Sequence, residues 1–280
     1  MSGTLFICAT PIGNLEDVSR RLVRVLSEVD LVAAEDTRRT RKLLSAIGVS
    51  ARLVSYHDVN ERKQTPFLIR TLESGRDVAL VSDGGTPAIS DPGYALVRAA
   101  IDKGFDITVI PGPSSVTTAL VLSGLPTARF AFEGFLPRGA SEQRTRLREL
   151  AAEQRTLVFF EAPTRVKGSL VAILEVFGDR RVSVARELTK IHEEVLRGPL
   201  SEVITQLEGR DILGEVVLVI EGASEVGKLE DAVERARALV IAGSSPSQAA
   251  ALSAKEFHVH RRDVYGSLVS DQVAKGSQSG

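Results

Sequence analysis

The chain has 280 residues, of which 43% are hydrophobic and 25% are charged, and its formal net charge at pH 7 is −1. This composition is typical of a globular protein with a sizeable core, and it excludes both a global basic field for nucleic acid and an apolar run long enough to span a membrane. A single cysteine, Cys8, and four scattered histidines predict neither a disulfide framework nor a metal centre, so we expect a cytoplasmic protein without metal or membrane partner.

The first 110 residues alternate short β-rich runs with amphipathic helical patterns. Five strands are predicted at Thr4–Ala9, Leu31–Ala34, Arg52–Tyr56, Asp77–Val81 and Asp106–Ile110. Helices are predicted between them at Leu15–Val29, Arg38–Ile47, Glu61–Glu73 and Tyr94–Lys103. Strict alternation of strand and helix is typical of a parallel sheet that helices cover on both faces.

A second α/β series follows, and its pattern differs at one connection. Strands are predicted at Arg129–Phe135, Leu157–Phe160, Val182–Glu187, Glu194–Arg197 and Glu215–Ile220. Helices are predicted at Val116–Leu122, Glu142–Glu153, Val166–Val176 and Leu200–Leu207. Only a short connection joins the third and fourth of these strands, which indicates an antiparallel pair and therefore a mixed sheet.

The end of the chain turns helical, with patterns at Leu229–Ala242, Pro246–Glu256 and Arg261–Val269. The stretch "IPGPSS" interrupts the pattern between the two α/β series. We therefore predict two α/β domains, a parallel one at 1–113 and a mixed one at 114–225, followed by a small helix-turn-helix-like module at 226–280.

Four loops at the carboxyl ends of the first sheet's predicted strands are rich in Gly, Pro, hydroxyl and carboxylate groups. They read "TPIGN", "EDTR", "SDGGTPAISDPG" and "PGPSS". Open α/β sheets bind ligands at this edge, where glycine allows close backbone approach and proline fixes the loop. The loops predict a cradle for a polar, nucleoside-like molecule. No dinucleotide-binding, P-loop or nucleophile-elbow motif is present.

Seven motifs together resemble the tetrapyrrole-methylase (class III) superfamily of S-adenosylmethionine-dependent methyltransferases. They are "TPIGNLEDVSRR", "AEDTRRTRKLL", "SYHDVNE", "VSDGGTPAISDPG", "VIPGPSS", "FEAPTR" and "ELTKIHEEVLRG", in order between Leu5 and Gly222. Members that methylate corrinoid precursors have Gly-Gly-Asp-Pro where this chain has "GGTP", and tend to have Gly-Pro-Gly where it has "PIG". Both departures favour the branch of the superfamily that methylates ribosomal RNA.

The resemblance implies S-adenosylmethionine bound in a cleft between the two domains. It implies that the acceptor is the ribose 2′-hydroxyl of a cytidine in 16S rRNA of the small ribosomal subunit, and that the protein is a homodimer. By position, the implied cofactor contacts are Pro11, Gly84, Gly85, Thr86, Ile89, Ser114, Ser115, Glu161, Ala162 and Leu188.

A ribose hydroxyl needs a proton acceptor before it can attack a methyl group. The candidates are Asp83, Asp36, His57, Asp91, Glu161 and Lys190. Asp83 has the best location, at the end of the fourth strand, and is our predicted catalytic residue. A carboxylate at that position can instead cap the loop.

Contacts with RNA are expected from two basic stretches. "TRRTRK" contributes Arg38, Arg39, Arg41 and Lys42, and the helical module contributes Arg261 and Arg262. A further run, "RGASEQRTRLR", is also a candidate. Each stretch has a plainer interpretation as a solvated face, and the helical module as a packing or dimer element. Two other functions stay open: a C-methyltransferase of a small tetrapyrrole, and an RNA-binding assembly factor without activity.

Overall fold

The structure is a computed structural model that describes residues 2–223, 229–257 and 259–276, with side chains described as far as residue 269. The described chain divides into two compact units. The first comprises Met1–Arg148 and Thr156–Glu221, and the second comprises Glu149–Arg155 and Gly222–Gly280. Both sheets belong to the first unit. The predicted boundary at 113 stays a prediction, and the one at 225 lies outside the described residues.

The first sheet has five parallel strands, as the alternating pattern predicted. They are β1 (Leu5–Cys8), β2 (Leu31–Ala34), β3 (Leu53–Ser55), β4 (Val78–Val81) and β5 (Ile107–Ile110). Their spatial order is β3-β2-β4-β1-β5, and every neighbouring pair is parallel. β1 and β4 are therefore central neighbours, and the loops that leave them meet at the carboxyl edge.

Four helices cover the two faces of this sheet. They are α1 (Arg20–Glu28), α2 (Thr37–Ala46), α3 (Glu61–Glu73) and α4 (Tyr94–Asp102). Leucines of α1 and α2 pack on one face beside Cys8, and leucines of α3 and α4 pack on the other beside Leu5. The faces hold their helices because the strand residues are apolar on both sides.

The prediction of one continuous helix over Leu15–Val29 is wrong. A 3₁₀ turn spans Leu15–Asp17, and α1 begins only at Arg20. The Asn14 side chain accepts the N–H of Glu16 at 3.0 Å, and Ser19 Oγ accepts the N–H of Leu22 at 3.1 Å. Each of these side chains satisfies a backbone donor at a helix start, so the chain forms two short elements instead of one.

The second sheet is mixed, as predicted. Its strands are β6 (Phe130–Phe135), β7 (Thr156–Glu161), β8 (Arg181–Arg186), β9 (Glu194–Pro199) and β10 (Val216–Ile220). They lie in the order β6-β7-β10-β8-β9, with β6 and β7 parallel and every other pair antiparallel. Helices α5 (Ser115–Ser123), α6 (Ala140–Leu150), α7 (Val166–Phe177) and α8 (Leu200–Gln206) accompany it, with a 3₁₀ turn at Pro163–Arg165.

The second unit contains α9 (Leu229–Ile241), α10 (Pro246–Glu256) and α11 (Arg261–Gly276). Alanine side chains of α9 and α10 pack with Val264 and Leu268 of α11 in a small core of its own. The hydroxyl of Ser253 donates to the carbonyl of Ala232, which ties α10 to α9. Within the described part of the chain, no helix is long and apolar enough to cross a membrane.

Candidate active site

The loops after β1 and β4 are joined by paired backbone hydrogen bonds. Thr10 and Gly85 exchange N–H···O bonds of 2.9 and 3.0 Å, and Thr10 Oγ1 donates to the carbonyl of Ser82 at 3.2 Å. Gly85 has φ +84°, a left-handed conformation that a side chain disfavours. The irregular stretch after β4 is therefore an ordered wall at the carboxyl edge of the sheet.

This wall forms one side of a cleft of about 430 Å³, within the range of small-molecule sites. Nine of the ten predicted cofactor contacts line it: Gly84, Gly85, Thr86, Ile89, Ser114, Ser115, Glu161, Ala162 and Leu188. The tenth, Pro11, does not line the cleft, although its carbonyl oxygen would lie 3.2 Å from a Cβ added to Gly84. Ile12, beside it, lines the cleft and packs with Leu188 in the core of the second sheet.

Five carboxylates line the cleft, and three of them, Glu35, Asp83 and Asp91, come from loops of the first sheet; the other two are Glu161 and Glu215. Asp83 Oδ1 accepts the N–H of Asp36 at 3.1 Å, and its Oδ2 lies 3.4 Å from Arg39 Nη1. The N–H of Asp83 in turn donates to Glu35 Oε2 at 3.1 Å. Both oxygens of Asp83, the predicted catalytic residue, therefore have partners at the start of α2: the N–H of Asp36, just before the helix, and Arg39 in its first turn.

Asp91 differs from the other carboxylates of the cleft in its proton affinity. Burial raises the pKa of Asp91 to about 7, and the negative charge of Glu35 adds to the shift, while a hydrogen bond with Ser82 opposes it. Burial also raises the pKa values of Glu35 and Asp83 above their ordinary range. Asp91 is thus able to gain and lose a proton near neutral pH.

The loop that carries Asp91 has a strained backbone. Ala88 and Ser90 adopt φ values of 68° and 60°, which side chains rarely tolerate. Such conformations concentrate at functional sites, where surrounding structure holds them. The strain is consistent with a loop shaped for a ligand, because Ile89, Ser90 and Asp91 all line the cleft.

The remaining proton-acceptor candidates are less suited to that role. Burial lowers the pKa of Lys190, but hydrogen bonds with Glu187 (2.8 Å) and Glu215 (3.2 Å) outweigh it and raise the pKa, so the ammonium stays charged. Hydrogen bonds from Arg38 lower the pKa of Asp36. His57 lies in the turn before α3 and does not line the cleft.

Glu161 lines the cleft, but its carboxylate is held from the side of α7. Ser169 Oγ donates to it at 2.5 Å and the N–H of Ala162 at 2.8 Å, while Arg165 Nε lies 3.5 Å away. Gln143 Nε2 donates to the same serine hydroxyl at 2.9 Å. These contacts fix the position of the Glu161 carboxylate in the wall of the cleft.

The predicted RNA contacts fall in two places. Of the four on α2, Arg39 lines the cleft, Arg38 forms a bidentate pair with Asp36, and Arg41 and Lys42 are exposed.

In the second unit, Arg261 and Arg262 begin α11 and line a shallow depression with Ser247 and Tyr265. Arg261 Nη2 donates to Ser247 Oγ at 2.7 Å. These two arginines therefore form a compact basic patch on the second unit.

Sequence reasoning missed several lining residues, among them Ile12, Glu35, Ser90, Phe135, Phe160 and the run from Gly214 to Val217. Glu35 and Ser90 lie in loops that the sequence analysis had already proposed as ligand-binding, so both could have been predicted as lining residues. Gly214–Val217 could not have been predicted in the same way, because β10 is antiparallel to β7 and its amino end, not its carboxyl end, lies at the cleft. Among the described residues, no group of His, Cys, Asp or Glu is arranged to hold a metal ion.

The fold agrees with the comparisons to known proteins. The family model "Tetrapyrrole (Corrin/Porphyrin) Methylases" matches residues 4–204, so the chain belongs to this family. The crystal structure of uroporphyrin-III-C-methyltransferase from Thermus thermophilus is similar in fold, with a TM-score of 0.54 and 22% sequence identity over 78% of this chain and 94% of that one.

Relatives with higher sequence identity indicate a narrower group within the family. The chain is 47% identical over 220 residues to the ribosomal RNA small subunit methyltransferase I of Thermotoga maritima, covering 79% of this chain and 99% of that protein. It is 44% identical over 279 residues to the protein of the same name from Mycobacterium bovis, covering 98% of each. The similarity to these two relatives extends over 79% and 98% of the chain, respectively.

Proposed function

We propose that this chain is an S-adenosylmethionine-dependent methyltransferase that acts on RNA of the small ribosomal subunit. The observation that carries the proposal is the cleft, in which nine residues chosen by their motif positions come together. The names of the relatives support the RNA substrate. The motif resemblance further favours the 2′-hydroxyl of a cytidine ribose in 16S rRNA, and a cytoplasmic protein that meets its substrate there.

The lining of the cleft fits S-adenosylmethionine. When bound, this cofactor supplies a methyl group activated by a sulfonium centre. Gly84 and Gly85 leave room for close backbone approach, and Ser114 and Ser115 supply hydroxyl groups where α5 begins. The amino end of α5 also favours a negatively charged group such as a carboxylate. Val116, Phe160 and Val217 provide apolar surface for the rest of the molecule.

We propose Asp91 as the proton acceptor. Its raised pKa of about 7 matches neutral pH, where a positioned base is most effective. Asp83, which the sequence favoured, has both oxygens engaged by Arg39 and the N–H of Asp36. We assign Asp83 the task of holding Arg39 at the cleft, and its role as acceptor is the alternative that mutagenesis distinguishes.

One assay separates the three candidate functions. The protein is incubated with radiolabelled S-adenosylmethionine and, in parallel, with isolated small subunits, naked rRNA and a tetrapyrrole precursor. We expect label in the ribosomal RNA. Label in the tetrapyrrole would establish small-molecule C-methylation, and cofactor binding without label anywhere would indicate an assembly factor.

The basic patch of the second unit is proposed to contact RNA phosphates. Arg261 and Arg262 stand at the start of α11, where the positive end of the helix dipole favours an anion, and the first turn also holds one carboxylate, Asp263. Tyr265 beside them offers a ring to a base.

Replacing Arg261 and Arg262 together by alanine is expected to weaken RNA binding without changing cofactor affinity. Each lost phosphate contact should lower the slope of log affinity against log salt by ~0.7–0.9. Filter binding of rRNA between low and moderate salt measures this. A charge-matched control is Arg24→Ala with Arg98→Ala, because both arginines pair with a glutamate or aspartate one turn away and neither lines the cleft. Equal slopes in the two double variants would contradict the proposal.

The homodimer is also a proposal, with the second sheet and α5 supplying most of the interface. β9 is an edge strand of that sheet, and Arg197 Nε ties it to the end of α5 by donating to the carbonyl of Leu122 at 2.7 Å. Val121 of α5 is exposed. Unpaired edges and exposed apolar side chains favour association, and two-fold symmetry is the commonest form. Light scattering at micromolar concentration should give about twice the 30.1 kDa chain mass, and a monomer would refute the proposal.

A further inference from the structure

One aromatic side chain in the cleft is unusually exposed. Phe135, at the end of β6, lines the cleft but keeps 57% of its surface accessible. The predicted cofactor contacts, apart from Ile89, are buried or half-buried. Single exposed apolar side chains are common on protein surfaces, but this ring lines a cleft of small-molecule size, where a bound ligand would cover it.

The backbone around Phe135 is firmly held. Phe135 pairs with Phe160 of β7 after a bulge that follows Phe132. Gly134, within the bulge, has φ +67° and so turns the strand in a way that other residues disfavour. After the strand, Arg165 Nη2 donates to the carbonyls of Leu136 (3.0 Å) and Pro137 (2.7 Å).

The ring has one aromatic contact among the described residues. Phe160 meets Phe135 edge to face, with ring centroids 5.5 Å apart and an interplanar angle of 62°. Such a contact fixes the ring while leaving much of it open, as its exposure shows. The arrangement is that of a preorganised platform for a planar group.

Polar groups of the Asp91 loop lie close to the platform. The end of β6 lies beside the loop of Asp91, because a Cβ added to Gly134 would come within 3.4 Å of Ser90 Oγ. The loop and Phe135 line the same cleft. The ring and the loop of Asp91 therefore border the same space, in which the proposed nucleotide would lie.

We propose that Phe135 is a stacking platform for the nucleobase of the nucleotide that is methylated. The inference rests on the proposed function and adds a positioning residue to it. A base unstacked from RNA is commonly held on an aromatic side chain. We assign the less exposed lining residues to the cofactor. The adenine of the cofactor is the other group that would stack on Phe135, so the experiment must distinguish it from the RNA base.

The test compares Phe135→Ala, Phe135→Leu and Phe135→Tyr with the matched control Phe130→Ala. Phe130 lies at the other end of β6, is 37% exposed and does not line the cleft. We expect Phe135→Ala to raise KM for small subunits by about 5- to 150-fold, with unchanged calorimetric affinity for S-adenosylmethionine. Phe135→Tyr should retain the wild-type KM, Phe135→Leu should not, and Phe130→Ala should be silent.

An unchanged KM in Phe135→Ala would overturn the platform. A loss of cofactor affinity by the same factor would also overturn it, since the ring would then serve the adenine. Binding of a cytidine-containing single-stranded oligonucleotide to the full-length protein, followed by fluorescence anisotropy, keeps this inference separate from the proposed function. If wild type methylates no RNA but Phe135→Ala still weakens oligonucleotide binding, the platform stands and the proposed function fails. Absence of oligonucleotide binding by wild type would refute the platform.

Discussion

Asp91→Asn is expected to lower kcat for RNA methylation by about 10²–10⁴-fold, the usual contribution of a positioned base. Asparagine has nearly the same shape and can still bond with Ser82, but it cannot accept the proton of a hydroxyl group. The affinity for S-adenosylmethionine should not change, because the substitution leaves the glycine-rich wall intact. Single-turnover kinetics with saturating cofactor measure the chemical step directly.

The pH profile provides a sharper signature of the same prediction. Asp91 must be deprotonated to act, so kcat of the wild type should fall as pH decreases below about 7, the pKa of this carboxyl. Burial raises the pKa of Asp91 most, the negative charges of Glu35, Asp83 and Asp58 raise it further, and the hydrogen bond with Ser82 lowers it. In Asp91→Asn, this acid limb should be absent from the residual activity.

As pH rises toward 7, the stability of the folded state should fall while the activity rises. Because the folded-state pKa of Asp91 exceeds its unfolded value of about 3.9, the folded state holds the proton more tightly, and this stabilisation is lost as pH rises to about 7. Asp91→Asn, which cannot ionise, should therefore melt at a temperature equal to or above that of wild type at pH 8. Differential scanning calorimetry checks this and shows that lost activity is not lost folding.

Two control variants locate the acceptor. Asp83→Asn removes the ion pair with Arg39 but retains an oxygen for the N–H of Asp36, so we expect a smaller loss of kcat and a retained acid limb. Asp102→Asn removes an exposed carboxylate paired with Arg98 on α4 and should have no effect. If the acid limb disappears in Asp83→Asn and persists in Asp91→Asn, the acceptor is Asp83.

Gly85→Val is expected to abolish measurable binding of S-adenosylmethionine. Gly85 has φ +84°, and its N–H and C=O groups both bond with Thr10. A β-branched side chain strongly disfavours this conformation, so the loop must rearrange and the cleft wall with it. A Cβ added to Gly85 would lie 3.6 Å from the side chain of Ile12, which lines the cleft, so the larger valine side chain would project toward that residue. Isothermal titration calorimetry measures the loss.

Gly104→Val is the matched control for this substitution. Gly104 has φ +73° in the turn after α4, and an added Cβ would meet no described atom within 4 Å. The control therefore bears a similar backbone strain, of order 1–3 kcal/mol, at a distance from the cleft. We expect comparable losses of melting temperature in the two variants but normal cofactor affinity in Gly104→Val. A folded Gly85→Val protein with wild-type affinity would disprove the cofactor role of this loop.

The sequence by itself determined the two α/β layers and most of the cleft. Apolar runs of four to six residues alternating with amphipathic segments leave few topologies, and right-handed crossovers bring the carboxyl ends of parallel strands to one edge. Glycine, proline and hydroxyl groups concentrated in those loops then identify the ligand side. The motif resemblance added the individual residues Gly84, Gly85, Thr86 and Ser114, all of which line the cleft.

Only the tertiary structure decided the surroundings of the charged and aromatic groups of the cleft. Asp83 and Asp91 lie eight positions apart on one loop, and their different environments come from Arg39 and from burial, which local sequence does not encode. Phe135 reads as an ordinary strand residue until the bulge and the pairing of β6 with β7 place it at the cleft. The amino end of β10 reaches the same cleft because strand direction reverses in a mixed sheet, and such long-range pairing is set by packing of the whole domain.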